Sequence, residues 1–266
     1  MQMYRIRQSQ EFIYGYNPIT TIDEKVKNTM MDFGILKMKK EQVEIDMESK
    51  ERVYLLIEGE AKLEWEDKSV VINRNSCFDE SPWTLHLPKN TKVKITALKD
   101  DTEFSVSKTF NDTIFESKLY TQKECVDEHR GKGTMKETST RIVRTVFDYS
   151  NADYSNFVVG EVIDYPGKWS SYPPHHHPQP EVYHYRFNPK HGYGFCQLGE
   201  DVVMVKHNDT VKIVDELSHP QATAPGYAMY YIWVIRHIDG NPYIAPTFEP
   251  EHLWVIKEDA KIWPDK

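Results

Sequence analysis

The sequence predicts an all-β protein made of two small antiparallel barrels. Three observations carry that expectation. Short segments of alternating apolar and polar residues recur, separated by turn residues roughly every eight to twelve positions, as in a sandwich or barrel. No amphipathic pattern runs longer than about two helical turns, Asp23 to Met31 being the best helix candidate. The second half can also be laid weakly over the first. Glu51-Arg52-Val53-Tyr54 falls on Glu181-Val182-Tyr183-His184, Asn75 on Asn208, and Leu85-x-Leu87-Pro88 on Ala222-x-Ala224-Pro225.

Taken in order, the first thirty residues are mixed and are expected to wrap or extend an edge. Phe33 to Met38 reads as a strand, Arg52 to Trp65 as a hairpin bent at Glu58-Gly59, and Val70 to Asn73 as a further strand. Thr84 to Pro88, Val93 to Leu98 and Phe104 to Ser107 follow. Asn111 to Thr140 is polar and lacks alternation, so it reads as an inter-domain connection carrying the loop Arg130-Gly131-Lys132-Gly133. Strands resume at Arg141 to Phe147, Phe157 to Asp164, Val182 to Phe187, Gly194 to Leu198, Val202 to Lys206, Val211 to Val214 and Tyr227 to Arg236. The expected division is a first barrel over residues 1–120 and a second over 121–266.

Composition narrows the function classes. With 39% hydrophobic and 12% aromatic residues the chain is expected to pack a core rather than stay disordered. A net charge of −8 gives no electrostatic footprint for nucleic acid. The three cysteines, Cys77, Cys125 and Cys196, form no Cys-x-x-Cys pair, which fits buried thiols in a reducing compartment. Met1 to Phe12 does not read as a signal peptide, and the apolar run Ala228 to Ile235 is short of the ~20 residues a spanning helix needs. The expectation is a cytoplasmic protein with neither a nucleic-acid nor a membrane partner.

Histidine placement singles out the second barrel. Ten of the eleven histidines follow residue 128, and in the overlay Glu51 has no histidine before it while Pro82 stands where His219 stands. His175-His176-His177-Pro178-Gln179-Pro180-Glu181 is answered by Ser218-His219-Pro220. Side chains two apart on a strand share a face, so His175 and His177 point one way and His176 the other. Pro178 and Pro180 make an unbroken strand unfavourable and imply a loop or bulge before Glu181. Neutral imidazoles with one carboxylate suit zinc, manganese, iron or nickel, so His175, His177, Glu181 and His219 are the expected ligands of a divalent metal. The bland alternative is a solvated histidine cluster. The remaining histidines, and Tyr230, Tyr231 and Trp233, read as ordinary surface and core residues.

His-x-His-x-x-x-Glu followed by a later His resembles the metal signature of cupins. Gly167 to His175, the Arg130-Gly131-Lys132-Gly133 loop and Ala224-Pro225-Gly226-Tyr227 resemble the 5-deoxy-glucuronate isomerases of myo-inositol catabolism and the related 5-keto-4-deoxyuronate isomerases. The resemblance covers roughly residues 30 to 255. It implies a bicupin of two antiparallel jelly-roll barrels, metal in the C-terminal one, and a homo-oligomer. The short Pro178-Gln179-Pro180 bridge and His176 are where the chain departs from those relatives.

The function so implied is metal-dependent aldose–ketose isomerisation of 5-deoxy-glucuronate to 5-dehydro-2-deoxy-gluconate. Arg130 and Lys132, with glycines that allow close backbone approach, are the expected cradle for the carboxylate of the sugar acid. Tyr183 shares the face of Glu181 and is expected to contact substrate. Tyr185, Lys206 and Glu181 itself are the candidates for the catalytic base. The competing readings are a 5-keto-4-deoxyuronate isomerase, an epimerase, an iron dioxygenase, or a sugar-acid-binding cupin without turnover.

Overall fold

The computed structural model describes residues 3–265. Its contacts divide the chain into two compact units, each built from antiparallel β-sheet. One unit comprises Gln10–Val126 with Thr145–Val158. The other comprises the residues up to Ser9, Asp127–Arg144 and everything from Val159 onward. The chain therefore passes between the units four times, not once near residue 120. Two local pairings account for the extra passages. Arg5 and Ile6 pair with Val211 and Thr210, and Ser155 and Asn156 hydrogen-bond the Glu51 carboxylate.

The first unit is organised on one long strand, Glu51–Trp65. Its first part pairs with Thr84–Leu87 and its last part with Lys68–Arg74 and Val93–Ala97. The expected hairpin at Glu58-Gly59 is instead a bulge, where the register against Thr102–Thr109 shifts. Gly59 has φ +112°, and a Cβ there would come within 2.6 Å of the Thr102 Cα, so glycine lets the strand bend without ending. Leu56, Leu63, Trp65, Ile95 and Phe104 are among the residues that fill the core.

Asp23 to Met31 forms bends, not a helix. Side chains take over the local backbone bonds: Asp32 Oδ1 accepts from the Ile22 amide, Asn28 donates to the Ile22 carbonyl, and the Met30 amide donates to Asn28. That competition is why Asx residues disfavour helix interiors. The Asn111 to Thr140 connection likewise holds two short strands, Lys118–Tyr120 and Glu128–Arg130.

A seven-stranded sheet, most of whose residues belong to the second unit, runs in the order Arg5–Ile6, Thr210–Ile213, Glu181–Asn188, Ala228–Arg236, Phe157–Asp164, Arg141–Phe147, Glu128–Arg130. A four-stranded sheet orders Trp169–Ser170, Gln221–Thr223, Tyr193–Leu198 and Asp201–Lys206. Glu181–Asn188 is central, pairing on both edges, and is buried as far as Phe187. Tyr183, Tyr185 and Phe187 from one face of it enter the core with Val205, Val211 and Met229. This is the two-barrel jelly-roll architecture of a bicupin. No helix among the described residues is long and apolar enough to cross a membrane.

Candidate metal centre

Three loops and strand ends bring the histidine cluster together. His175–His176 is a two-residue strand paired with Thr247–Phe248. Pro178 to Pro180 then breaks the chain, and Glu181 opens the central strand. His219 arrives from the segment before Gln221–Thr223, and its amide donates to the His175 carbonyl at 3.3 Å. The ligating atoms of His177, Glu181 and His219 all lie within 4.8 Å of one another, and all three residues are buried. His175 lies outside that trio, but its ring stands 4.9 Å from the His219 ring, edge to face.

Hydrogen bonding sets the tautomers. His177 Nδ1 is 2.9 Å from the Gln179 carbonyl, His219 Nδ1 is 2.8 Å from Leu217 and His175 Nδ1 is 3.1 Å from Pro173. A carbonyl oxygen only accepts, so each Nδ1 carries the proton and each neutral ring keeps its Nε2 lone pair free. This outer hydrogen bond is what a metal-binding imidazole needs to fix its orientation. The short Pro178-Gln179-Pro180 bridge supplies it for His177, and the Gln179 side chain is itself tied to the Asn241 carbonyl at 2.9 Å.

The electrostatics agree with this reading. Burial pushes the His175 pKa down to about 4, and the neighbouring His177 and Arg141 add to the effect. Burial also holds His219 well below the usual imidazole range. Glu181 is raised by burial, partly offset by His177. Two lone pairs, His177 Nε2 at 3.2 Å and His219 Nε2 at 3.5 Å, converge on Glu181 Oε2. His219 Nε2 is buried without a hydrogen-bond donor facing it. Ligand atoms about 2.0–2.2 Å from one ion and 90–110° apart lie about 3.0–3.5 Å from each other. The residues thus fit a divalent metal in both chemistry and spacing.

Around this trio lies a buried polar chain. Asp164 Oδ2 accepts from Ser170 at 2.8 Å, Ser170 meets the Tyr231 hydroxyl at 2.9 Å, and Ser171 bridges Tyr231 at 3.4 Å and Tyr183 at 3.2 Å. The Tyr183 ring is 5.9 Å from the His219 ring. Tyr183 therefore sits where contact with a metal-bound molecule is expected.

The other two candidates for the base, Tyr185 and Lys206, differ in burial. Tyr185 donates to Gln221 Oε1 at 2.8 Å and is wholly buried in the core, and burial raises its pKa well above the ordinary phenol value. Lys206 is exposed, because Val203 and Val205 take the inward face of its strand. The carboxylate cradle also differs from expectation. Arg130 and Lys132 are both exposed, and the Arg130 guanidinium binds Glu128 at 2.8 and 3.0 Å. Across the strand pair from Arg130 is Arg141, which is buried. Arg141, Asp164, Ser170, Ser171 and Tyr231 are candidates that the geometry adds and that sequence reasoning left without a role. Only the serines carried a signal, through the Trp169-Ser170-Ser171-Tyr172 run.

Comparison with known proteins places the chain. The profile of the KduI/IolB family matches residues 6–255. The chain belongs to the KduI/IolB family. The 5-deoxy-glucuronate isomerase of Geobacillus kaustophilus is 29% identical over 234 residues, 80% of this chain and 80% of that one. The enzyme of the same name from Halalkalibacterium halodurans is 33% identical over 145 residues, about half of each chain (49% and 51%). The crystal structure of an IolB-like protein from Salmonella typhimurium superposes with a TM-score of 0.84 at 25% identity, covering 95% of this chain and 98% of that one. Kinship with these enzymes makes the chain an isomerase, an intramolecular oxidoreductase.

Proposed function

We propose that the protein is a metal-dependent aldose–ketose isomerase converting 5-deoxy-glucuronate to 5-dehydro-2-deoxy-gluconate. The observation that carries this reading is the convergence of His177 Nε2, Glu181 and His219 Nε2 inside the second barrel of a KduI/IolB chain. His177, Glu181 and His219 would hold the ion, with His175 as the fourth ligand through its free Nε2. A divalent cation there supplies Lewis acidity for the negative charge that develops on the carbonyl oxygen as the adjacent C–H proton leaves.

The chain's own residues do the rest. Tyr183, Ser171, Ser170 and Tyr231 line up hydroxyls that can each donate or accept, matching a polyol. Of the three proposed bases, Glu181 belongs to the trio itself, and its burial raises its proton affinity. Isomerisation moves one proton from C2 to C1 and one between the two oxygens, so no redox partner is required. The test is NMR of the metal-loaded protein with 5-deoxy-glucuronate in deuterated water. Interconversion with deuterium entering at the carbon that receives the proton is expected. No interconversion of either 5-deoxy-glucuronate or 5-keto-4-deoxyuronate would refute the proposal.

A further inference from the structure

We infer that Arg141, not the Arg130–Lys132 loop, is the binding site for the carboxylate of the substrate. This rests on the uronate reading above and assigns the residue that makes the site select an acid. The observation is a buried guanidinium without a counter-ion. Arg141 is 9% exposed, and the acceptors that its hydrogen bonds reach among the described residues are carbonyl and hydroxyl oxygens, not carboxylates. Nη1 donates to the Ser139 carbonyl and to Ser139 Oγ, both at 2.8 Å, which fixes the plane of the group. Nη2 makes only a 3.4 Å contact with the Tyr172 carbonyl. The edge formed by Nε and Nη2 is thus left for a partner, and that edge binds a carboxylate side-on with two parallel hydrogen bonds.

Other buried arginines show what a structural guanidinium does here. Arg74 donates to the carbonyls of Leu56, Cys77 and Glu80. Arg144 pairs with Asp127 at 2.6 Å and Glu161 at 2.9 Å. Arg141 is compensated only in part, by the Ser139 acceptors on Nη1 and the long Tyr172 contact on Nη2, and a buried charge without a counter-ion is expensive unless a ligand completes it. Its position fits such a ligand. The Tyr172 carbonyl that it contacts follows Ser171, whose hydroxyl bridges Tyr183 and Tyr231, so Arg141 stands beside the hydroxyl chain. Arg130 is its cross-strand partner, and the Arg130 charge is already met by Glu128. Ser139 and Tyr172, which hold Arg141, also line a cavity of about 470 Å³ with Trp169 and Trp254.

The test compares KM for 5-deoxy-glucuronate with KM for the analogue whose carboxylate is reduced to a primary alcohol. Wild type, Arg141→Gln, Arg141→Lys and the double variant R130Q/K132Q are assayed at full metal occupancy. Loss of one charge-assisted hydrogen bond weakens binding about 10- to 150-fold. R141Q is expected to raise KM for the uronate by about that factor and leave the neutral analogue within about threefold. R141K keeps the charge without the planar fork and is expected to fall between, which serves as the readout where R141Q does not fold. R130Q/K132Q is expected to match wild type. Equal uronate preference in R141Q, R141K and wild type overturns the assignment while wild-type turnover leaves the isomerase reading standing. So does a preference lost in R130Q/K132Q alone. Wild type inactive on both uronates overturns both.

Discussion

Asp164 provides a prediction whose size can be worked out in advance. Its carboxyl is wholly buried, and burial pushes its pKa from 3.8 up to about 7, against the Ser170 hydrogen bond and the Arg141 charge. A carboxyl whose folded pKa is raised binds more protons folded than unfolded, so stability falls as pH rises between the two values. Integrating between pH 5 and pH 8 gives a loss of about 2 to 3 kcal/mol from this one group. Asp164→Asn removes the titration. Its own isosteric cost, about 1 kcal/mol, does not depend on pH. The difference in unfolding free energy between D164N and wild type is therefore expected to shift by about 2 to 3 kcal/mol in favour of D164N from pH 5 to pH 8. Urea unfolding at fixed metal content measures it, and a carbon-13 titration of the carboxyl checks the cause. A difference flat with pH, or a carboxyl titrating near 4, would refute the reasoning. An ionisable group kept at such cost is what an active site retains against its own stability.

Three further predictions concern the metal centre and its surroundings. His177→Ala is expected to lower metal affinity by more than about 100-fold, beyond what loss of an outer hydrogen bond alone costs, and to abolish turnover; elemental analysis with the isomerase assay decides, and full activity in metal-free H177A would exclude the site. Because burial lowers the His175 pKa to about 4 and holds His219 well below the usual imidazole range, protons compete weakly for these two rings, and the wild type is expected to keep its metal on dialysis at pH 5.5; release at pH 6 to 7 would contradict the buried-imidazole reading. Tyr185→Phe is expected to cost about 1 kcal/mol of stability through the lost Gln221 bond with little change in kcat, and Lys206→Ala to change neither; a hundred-fold loss of kcat in either would return that residue to the chemistry.

The clustering of His177, Glu181 and His219 was legible because residue type and spacing are properties of the sequence, and the fold only had to close the distance to His219. The barrel strands were legible for the same reason, since alternation is local. What failed depended on where a side chain ends. Tyr185 has the parity of Glu181, as expected, but its hydroxyl is captured by Gln221 on another strand. The exposure of Lys206 follows from alternation alone, given Val203 and Val205 on the inward face. Arg141 reads as any strand residue, and only Ser139 and Tyr172 reveal that half of its guanidinium is left over. The strand at Glu58-Gly59 was misread as a hairpin because a bulge and a turn use the same glycine.

The two barrels also show what decides whether one carboxylate is structural or binds metal. Glu51 and Glu181 match in the internal overlay, and each is the first residue of its strand. Both are buried, at 0% and 2% exposure. Around Glu51 the groups within reach are donors: Ser155 Oγ at 2.5 Å, Asn111 Nδ2 at 2.8 Å and the Asn156 amide at 3.0 Å, with His86 Nε2 at 2.7 Å. Burial pushes its pKa up, but His86, Ser155 and Asn156 outweigh burial and hold it below the usual range. Every lone pair it could offer an ion is already spent. Around Glu181 the neighbours are imidazole lone pairs, each turned inward by a backbone carbonyl behind it. That arrangement is repulsive until a proton or cation enters. Glu51→Gln should therefore destabilise the protein by about 2 to 4 kcal/mol, because an amide nitrogen in place of either oxygen meets donors, Asn111 and Asn156 at one position or His86 and Ser155 at the other. Metal content per folded molecule should stay unchanged, as read by urea unfolding and elemental analysis. A metal-depleted yet fully stable E51Q protein would place the ion, or its control, in the first barrel instead.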